Sequence, residues 1–239
     1  MPAGLTGGRR APISNPTRND RLAIDMTDGL QAIYFADPMC SWCWGFAPTI
    51  ETIRKTYGDA LPVRVVMGGL RPGTEEPMTA QSKAEIRNHW QHVHERSGQA
   101  FDFDFFERDG FIYDTDPAAR AVVAVRAENP ELELPFLERV QRAFYAENRD
   151  VTQAETLADL AEEMGLEREP FLMRLQSEAV RDATRLDYAT SRNAGVQGFP
   201  TLVVGPNAEG TYTMLTHGYR GADELMPLVA KVLEAHGAS

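Results

Sequence analysis

The chain has 239 residues, 43% of them hydrophobic, which is enough to bury a substantial core in one large domain or in a domain that carries an inserted subdomain. Its formal net charge of −11 sets a mean field that repels nucleic acid and anionic membranes, so neither is expected as a partner. With only 2 cysteines, a four-cysteine metal site is excluded.

Residues 1–28 are rich in Gly, Pro, Asn, Arg and Thr, lack an apolar run and read as a mobile tail. Arg9 and Arg10 are followed by Ala-Pro-Ile-Ser-Asn-Pro rather than by an apolar stretch, so a signal peptide is not expected here, and no segment approaches transmembrane length. The expected compartment is the cytoplasm, and Met26, where apparent order begins, is an alternative start. Ala32-Ile33-Tyr34-Phe35-Ala36 then reads as a buried strand, and the spacing from Phe46 to Tyr57 suits a helix.

Between them runs Asp37-Pro38-Met39-Cys40-Ser41-Trp42-Cys43-Trp44-Gly45, which places both cysteines at a strand-to-helix turn. The first turn of a helix leaves backbone N–H groups unpaired and presents the positive end of the macrodipole, and both favour a thiolate. Cys40 is therefore the candidate nucleophile, and Cys43, three residues on and on the same helical face, is placed to close a disulfide with it. In a reducing compartment a C-x-x-C pair is more often catalytic or metal-binding than structural. A metal would need histidines to complete its ligand set; His89, His92 and His94 lie close together but on an apparently exposed helical face, so no metal is expected. Two inert buried cysteines are the remaining plain reading, which the spacing and the junction disfavour.

Pro62 to Met67 is a β-branched run ended by Gly68-Gly69, a second strand that makes a parallel βαβ unit with the first. Sites in such sheets lie at the carboxyl ends of strands, so Gly68-Gly69-Leu70-Arg71 is expected beside the cysteines, with Gly69 allowing close approach of a ligand or simply ending the strand. From Pro72 to Ala194 helical signals dominate. Helices are expected over Lys83 to Ser97, Ala118 to Glu128 with Asp116-Pro117 as cap and first turn, and Pro135 to Glu147. A capping box at Thr152-Gln153-Ala154-Glu155 should start a further helix ended by Gly165, with Glu169 to Ser177 and Glu178 to Asn193 beyond it. Phe101-Asp102-Phe103-Asp104-Phe105-Phe106 alternates; packing of the helical part against the sheet is preferred to a substrate surface. Strand signals return at Gly198 to Gly205 and Thr211 to Thr216, an antiparallel hairpin, and Leu225 to His236 reads as a last helix.

The C-x-x-C turn, the helical insertion and Ala194-Gly195-Val196-Gln197-Gly198-Phe199-Pro200-Thr201 together resemble the DsbA-type thioredoxin-like family; Asp37-Pro38, Cys-Ser-Trp-Cys and Gly68-Gly69-Leu70-Arg71-Pro72 resemble its FrnE-like cytoplasmic branch. The resemblance implies an α/β thioredoxin-like fold with an all-helical subdomain inserted between the second and third strands: residues 29–70 and 195–239 as the thioredoxin-like domain and 71–194 as the insert. It also implies that Pro200 is a cis-proline opposite the cysteines. Many thioredoxins carry a buried acid six residues before the first cysteine; Tyr34 stands there, which leaves the acid–base helper unassigned, and Phe199 before the proline is larger and fully apolar.

The expected chemistry is thiol–disulfide exchange, with Cys40 attacking and Cys43 resolving. Ser41, Trp42, Gly69, Phe199 and Pro200 are the candidate substrate-binding residues, whereas Trp44 is read as core. Protein or small-molecule disulfides and thiols are the expected partners, with no resident cofactor and glutathione as a co-substrate at most. Two alternatives stand beside this reading: a glutathione-dependent transferase or isomerase of the kappa-class or hydroxychromene-carboxylate type, and a non-enzymatic redox-sensing or binding module.

Overall fold

The computed structural model describes residues 29–236, so the tail expected over residues 1–28 and the alternative start at Met26 lie outside the described residues. Four strands form one sheet: β1 (Gln31–Ala36), β2 (Val63–Met67), β3 (Thr201–Gly205) and β4 (Thr213–His217). Their spatial order is β2-β1-β3-β4, with β1 parallel to β2, and β3 antiparallel to both β1 and β4. Because β1 is central, both of its faces are covered and it reads as an unbroken apolar run. Ala32, Tyr34 and Ala36 pack with Cys43, Phe46 and Ile50, while Ile33 and Phe35 pack with Val66 on the opposite face.

Eight α-helices are described: α1 (Ser41–Tyr57), α2 (Ala80–Ser97), α3 (Asp116–Glu128), α4 (Glu133–Tyr145), α5 (Ala154–Glu163), α6 (Arg168–Leu175), α7 (Glu178–Asn193) and α8 (Ala222–Ala235). Helix α1 is the crossover from β1 to β2, and α2 to α7 all fall between β2 and β3. Helices α4 and α7 lean on β2, α1 packs on α2, α4 and α8, and one continuous hydrophobic core joins the inserted helices to the sheet. Among the described residues no helix is long and apolar enough to cross a membrane.

Several boundaries differ from the sequence reading for identifiable reasons. Helix α1 starts at Ser41, five residues before the expected Phe46, so that Cys43 and Trp44 lie inside its first turn rather than ahead of it. Helix α2 starts at Ala80 because the Thr79 hydroxyl accepts the Ser82 N–H at 3.1 Å, a cap that the apolar spacing alone did not mark. The cap of α3 is Thr115, with Asp116 as its first residue. The capping box at Thr152 does not form: Gln153 is the cap residue, and the Thr152 N–H and hydroxyl both donate to Asp150 Oδ1, at 3.0 and 2.6 Å. Phe103–Glu107 is a short 3₁₀ turn whose rings, with Phe101, surround Trp90 of α2 at centroid separations of 4.8–6.3 Å, so the stretch packs within the helical part rather than against the sheet as expected.

Candidate active site

The ends of β1 and β2 meet at the pair Ala36 and Met67, and the Gly68 N–H donates to the Ala36 carbonyl at 2.7 Å. Chain leaving both strands is thereby held side by side. After β1, Asp37–Met39 make a turn closed by the Cys40 N–H donating to the Asp37 carbonyl at 3.1 Å, and Cys40 becomes the extended N-cap residue of α1. Its side chain does no capping, and the first turn of α1 holds no acidic residue, so nothing nearby on the helix neutralises the positive end of its dipole.

Cys40 is 7% exposed and Cys43 0%, which gives the two thiols different access to a substrate. The Cys40 thiol points across the sheet to the loop before β3 and donates weakly to the Phe199 carbonyl at 3.6 Å. The Phe199–Pro200 peptide is cis, Pro200 is buried, and the Gly218 N–H donates to the Pro200 carbonyl at 2.7 Å. Burial pushes the Cys43 thiol up, reinforced by the neighbouring Cys40, so Cys43 rests as an uncharged thiol.

Asp37 is fully buried. Its Oδ1 accepts the Met39 N–H at 2.9 Å and its Oδ2 accepts the Leu70 N–H at 2.8 Å, so one carboxylate ties the cysteine turn to the loop after β2. Burial pushes its carboxyl up to about 6 against the pull of those two amides, and its charge reaches Cys43. The sequence reading named Asp37 only as part of the lead-in; an acid directly after a strand at a substrate-facing end was the available signal. Beneath the turn the Tyr113 hydroxyl donates to the Met39 carbonyl at 2.9 Å and lies 3.4 Å from that of Tyr145, while the Arg71 guanidinium sits 5.5 Å from the Tyr113 ring centre.

A cavity of about 270 Å³ opens beside Cys40, lined among others by Trp42, Leu70, Arg71, His89 and Phe199. A more open hollow of about 300 Å³ lies on the other side of Trp42 and Phe199, which line both, and is completed by Arg96, Gly218 and Tyr219. Ser41, Trp42 and Phe199 therefore stand at the cavity as candidate substrate contacts, and Trp42 leans on Tyr219 with ring centres 5.7 Å apart. Trp44 is core, with its indole N–H donating to the Ala100 carbonyl at 3.0 Å.

Gly69 has a different role from the one expected. It takes φ +71°, and a β-carbon there would lie 2.9 Å from the Tyr188 ring; it does not line the cavity, whereas Leu70 and Arg71 do. A β-carbon on Gly68 would lie 2.2 Å from the Phe199 ring. Both glycines thus admit aromatic rings of the protein itself rather than a ligand. His89 lines the cavity, His92 is exposed, and His94 Nδ1 lies 2.7 Å from the Gln99 carbonyl.

A second buried polar cluster lies behind β2, and sequence reading missed it entirely. Arg126 donates to both carboxylate oxygens of Asp187 at 3.0 Å each, to Glu133 Oε1 at 3.1 Å and to the Val65 carbonyl at 3.1 Å, while the Met67 N–H donates to Asp187 at 3.0 Å. The stretch from Met67 to Leu70 is consequently gripped by Asp187 at one end and Asp37 at the other.

Comparison with known proteins gives a family match and several structural neighbours. The family model described as Thioredoxin matches residues 34–225. A Nitrosomonas europaea crystal structure provisionally assigned as a protein disulfide isomerase is 39% identical, with a TM-score of 0.81 over 87% of this chain and 100% of that one. Cytosolic disulfide reductase DsbM from Pseudomonas aeruginosa is 25% identical, with a TM-score of 0.72 over 86% and 99% of the two chains, and has also been solved with GSH. Among curated relatives, the ClpXP adapter protein SpxH of Halalkalibacterium halodurans is 25% identical over 178 residues, which are 73% of this chain and 58% of that protein. The chain thus spans less than two thirds of the curated relative's length.

Proposed function

The chain belongs to the thioredoxin family and has DsbA-type oxidoreductases as structural neighbours; from that premise we propose that it is a dithiol–disulfide oxidoreductase or isomerase working through Cys40 and Cys43. The observation that carries the reading is the asymmetry of the two thiols. Cys40 stands at the cavity on the N-cap of α1, and Cys43 lies fully buried one turn inward with its proton held on.

The Cys40 thiolate attacks one sulfur of a substrate disulfide, forming a mixed disulfide and expelling the first substrate thiolate. Cys43 gives up its proton and attacks the Cys40 sulfur, which closes the Cys40–Cys43 disulfide and expels the second thiolate. The substrate gains two electrons and the dithiol loses two. Asp37 is the group proposed to take the Cys43 proton, since its charge acts on that sulfur and a carboxyl near 6 is ionised at neutral pH. The expelled thiolate takes that proton up. Two thiols of the glutathione class would return the dithiol as co-substrates, the first opening the Cys40–Cys43 disulfide and the second displacing it as their own disulfide, and no resident cofactor is proposed; the reverse sequence oxidises a substrate dithiol. Trp42 and Phe199 offer an apolar surface to either a peptide or a small disulfide. Likeness to a cytosolic reductase supports a cytosolic setting.

An adapter-like, protein-binding role is the second reading, and the SpxH likeness favours it. It weighs less, because 39% identity over the whole of one neighbour outranks 25% over 58% of a longer protein.

The test is trapping. Cys43→Ser keeps the attacking thiol and blocks escape, so mixed disulfides with protein or glutathione disulfides should accumulate, whereas Cys40→Ser should accumulate none. Equal trapping by the two variants, or none by either, contradicts the dithiol mechanism; full turnover by Cys43→Ser points instead to a Cys40-dependent transferase or isomerase.

A further inference from the structure

The cavity beside Cys40 has mostly apolar walls, from Met39, Trp42, Leu70, Ile86 and Phe199, and little charge in its lining. Arg71 enters from the loop after β2, and Glu85 and His89 from α2. Glu85 Oε1 accepts the Gln81 side-chain amide at 3.0 Å. Arg71 has no ion pair among the described residues. In the helical insertion, by contrast, Arg120, Arg126, Arg139, Arg168 and Arg174 each meet a carboxylate.

An exposed arginine is ordinarily a mobile side chain, but the backbone that carries this one is clamped. The Arg71 N–H donates to the Thr115 hydroxyl at 3.1 Å, and the Arg71 carbonyl accepts the Thr115 N–H at 3.3 Å, which pins the residue to the cap of α3. On one side the Leu70 N–H is held by Asp37, and on the other the Gly73 N–H donates to Asp114 Oδ1 at 2.8 Å. The guanidinium lies 5.5 Å from the centre of the Tyr113 ring, and the hydroxyl of that ring donates to the Met39 carbonyl, in the peptide group next to Cys40. Stacking on a ring leaves the in-plane N–H groups of a guanidinium for an anion, and their fork matches the two oxygens of a carboxylate. Through Tyr113 the fork is held in register with the nucleophilic sulfur before any substrate arrives, so little ordering is left to be done on binding.

We propose that Arg71 is the specificity-determining residue of this cavity, and that the disulfides and thiols it selects are small acids with a carboxylate a few bonds from the sulfur that Cys40 attacks. The inference rests on the dithiol reading above and adds to it the chemistry of the substrate's arm. When the Cys40 sulfur bonds to the attacked sulfur and the other sulfur leaves as a thiolate, Arg71 exchanges neither proton nor electron. It holds the carboxylate of the attached arm while the apolar walls take the carbon chain. At about 270 Å³ the cavity has room for one small arm. The net charge of −11 repels an acid at long range, so selection comes from contact inside the cavity and not from steering.

The test follows oxidation of the reduced full-length chain by two small disulfides, acidic 3,3′-dithiodipropionate and neutral 2-hydroxyethyl disulfide, with acid-quenched samples weighed intact. Loss of the reduced mass gives the attack phase, and appearance of a protein lighter by two hydrogens gives the resolving phase. The quantity read is the acidic-to-neutral ratio of attack rates, from which damage to the fold cancels. Arg71→Gln should lower that ratio about 3- to 10-fold, the range for a charge-assisted contact at a solvent-exposed cation. Arg71→Lys, which keeps the charge but not the fork, should restore part of it. Arg96→Gln removes a cation from the neighbouring hollow, which Cys40 does not line, and should leave the ratio unchanged. A ratio unmoved by Arg71→Gln, an equal effect of Arg96→Gln, or a larger effect of Glu85→Gln would overturn the proposal. So would a pair of short peptide disulfides, differing only in Asp or Asn beside the cysteine, if Arg71 discriminated between them and not between the two small disulfides. Attack on neither small disulfide by the unsubstituted protein would instead overturn the dithiol reading, and this proposal with it.

Discussion

The two buried polar clusters of this molecule solve opposite problems with the same kinds of atoms. Behind β2, the two carboxylates Asp187 and Glu133 share one guanidinium, Arg126, and the backbone supplies the remaining partners, so buried charge meets buried charge. Beneath the cysteine turn, Asp37 has two amides but no salt-bridge partner among the described residues, Tyr34 has an unclosed hydroxyl, and Cys43 keeps its proton. A compensated cluster holds a shape, because moving any member strands another. An under-compensated one stores protons near their point of exchange, which is where a resolving thiol needs them. The loop from Met67 to Leu70 joins the two, so the first cluster sets the position at which the second acts.

That contrast can be broken most forcefully from the structural side. Arg126→Met leaves two buried carboxylates unpaired and should cost about 3–5 kcal/mol, a melting point lower on the order of 10 °C in calorimetry, while the folded fraction exchanges disulfides at close to the parent rate. A large loss of exchange rate per folded molecule at low temperature would show that the two clusters are not separable.

Asp37→Asn should do the reverse, trading little stability for much of the rate. The folded carboxyl titrates at about 6, against an ordinary value of 3.8. Folding thus binds a proton more tightly than the unfolded chain between those values. The stability this adds is complete below the unfolded value and is lost as pH rises through about 6. Over that window the loss comes to about 3 kcal/mol, and asparagine does not titrate, so the variant should gain by that order relative to the parent between about pH 4 and pH 7 in urea unfolding. Glu133, pushed up to about 7 by burial, adds a loss of the same sign in both proteins and cancels in the difference. The resolving phase should slow about 100-fold and lose its rise near pH 6. A parallel pH dependence of stability in the two proteins would remove Asp37 from the picture.

Smaller changes sharpen the comparison at the loop. Gly68→Ala forces a β-carbon toward the Phe199 ring and should cost about 1–3 kcal/mol, recovered in part by adding Phe199→Leu. Failure of that recovery would mean that the strain lies elsewhere than between these two residues. Tyr188→Phe removes only the hydroxyl that donates to Asp116 at 3.1 Å and keeps the ring against Gly69, so a loss of about 1 kcal/mol or less with unchanged exchange is expected in the same assays.

What could be read from the sequence was what depends on neighbours along the chain. The spacing of Cys40 and Cys43, the apolar run before them, the apolar run of β3 and the alternation before β4 are local patterns, and the sequence of elements along the chain and the helical stretch follow from them. The start of α1 was misplaced because Trp42 and Trp44 interrupt the polar signal of a helix beginning. Asp37 was visible as a letter but not as a site, and Tyr34 only as a departure from an expected acid, since their surroundings come from β1 being central and from Leu70 returning beside the turn. The Arg126–Asp187 pair, 61 residues apart, left no pattern at all. Gly68 and Gly69 were legible as places needing no side chain, but what presses on them, Phe199 and Tyr188, arrives from the far end of the helical insertion.

The most direct measurement is to equilibrate the unsubstituted protein against glutathione buffers of graded redox poise and weigh it intact, with peptide mapping of residues 40 and 43. The expected result is a single transition in which both thiols disappear together and the protein loses the mass of two hydrogens, as required of an attacking and a resolving cysteine. A stable glutathione adduct on Cys40, with Cys43 still free across the whole range, would contradict it.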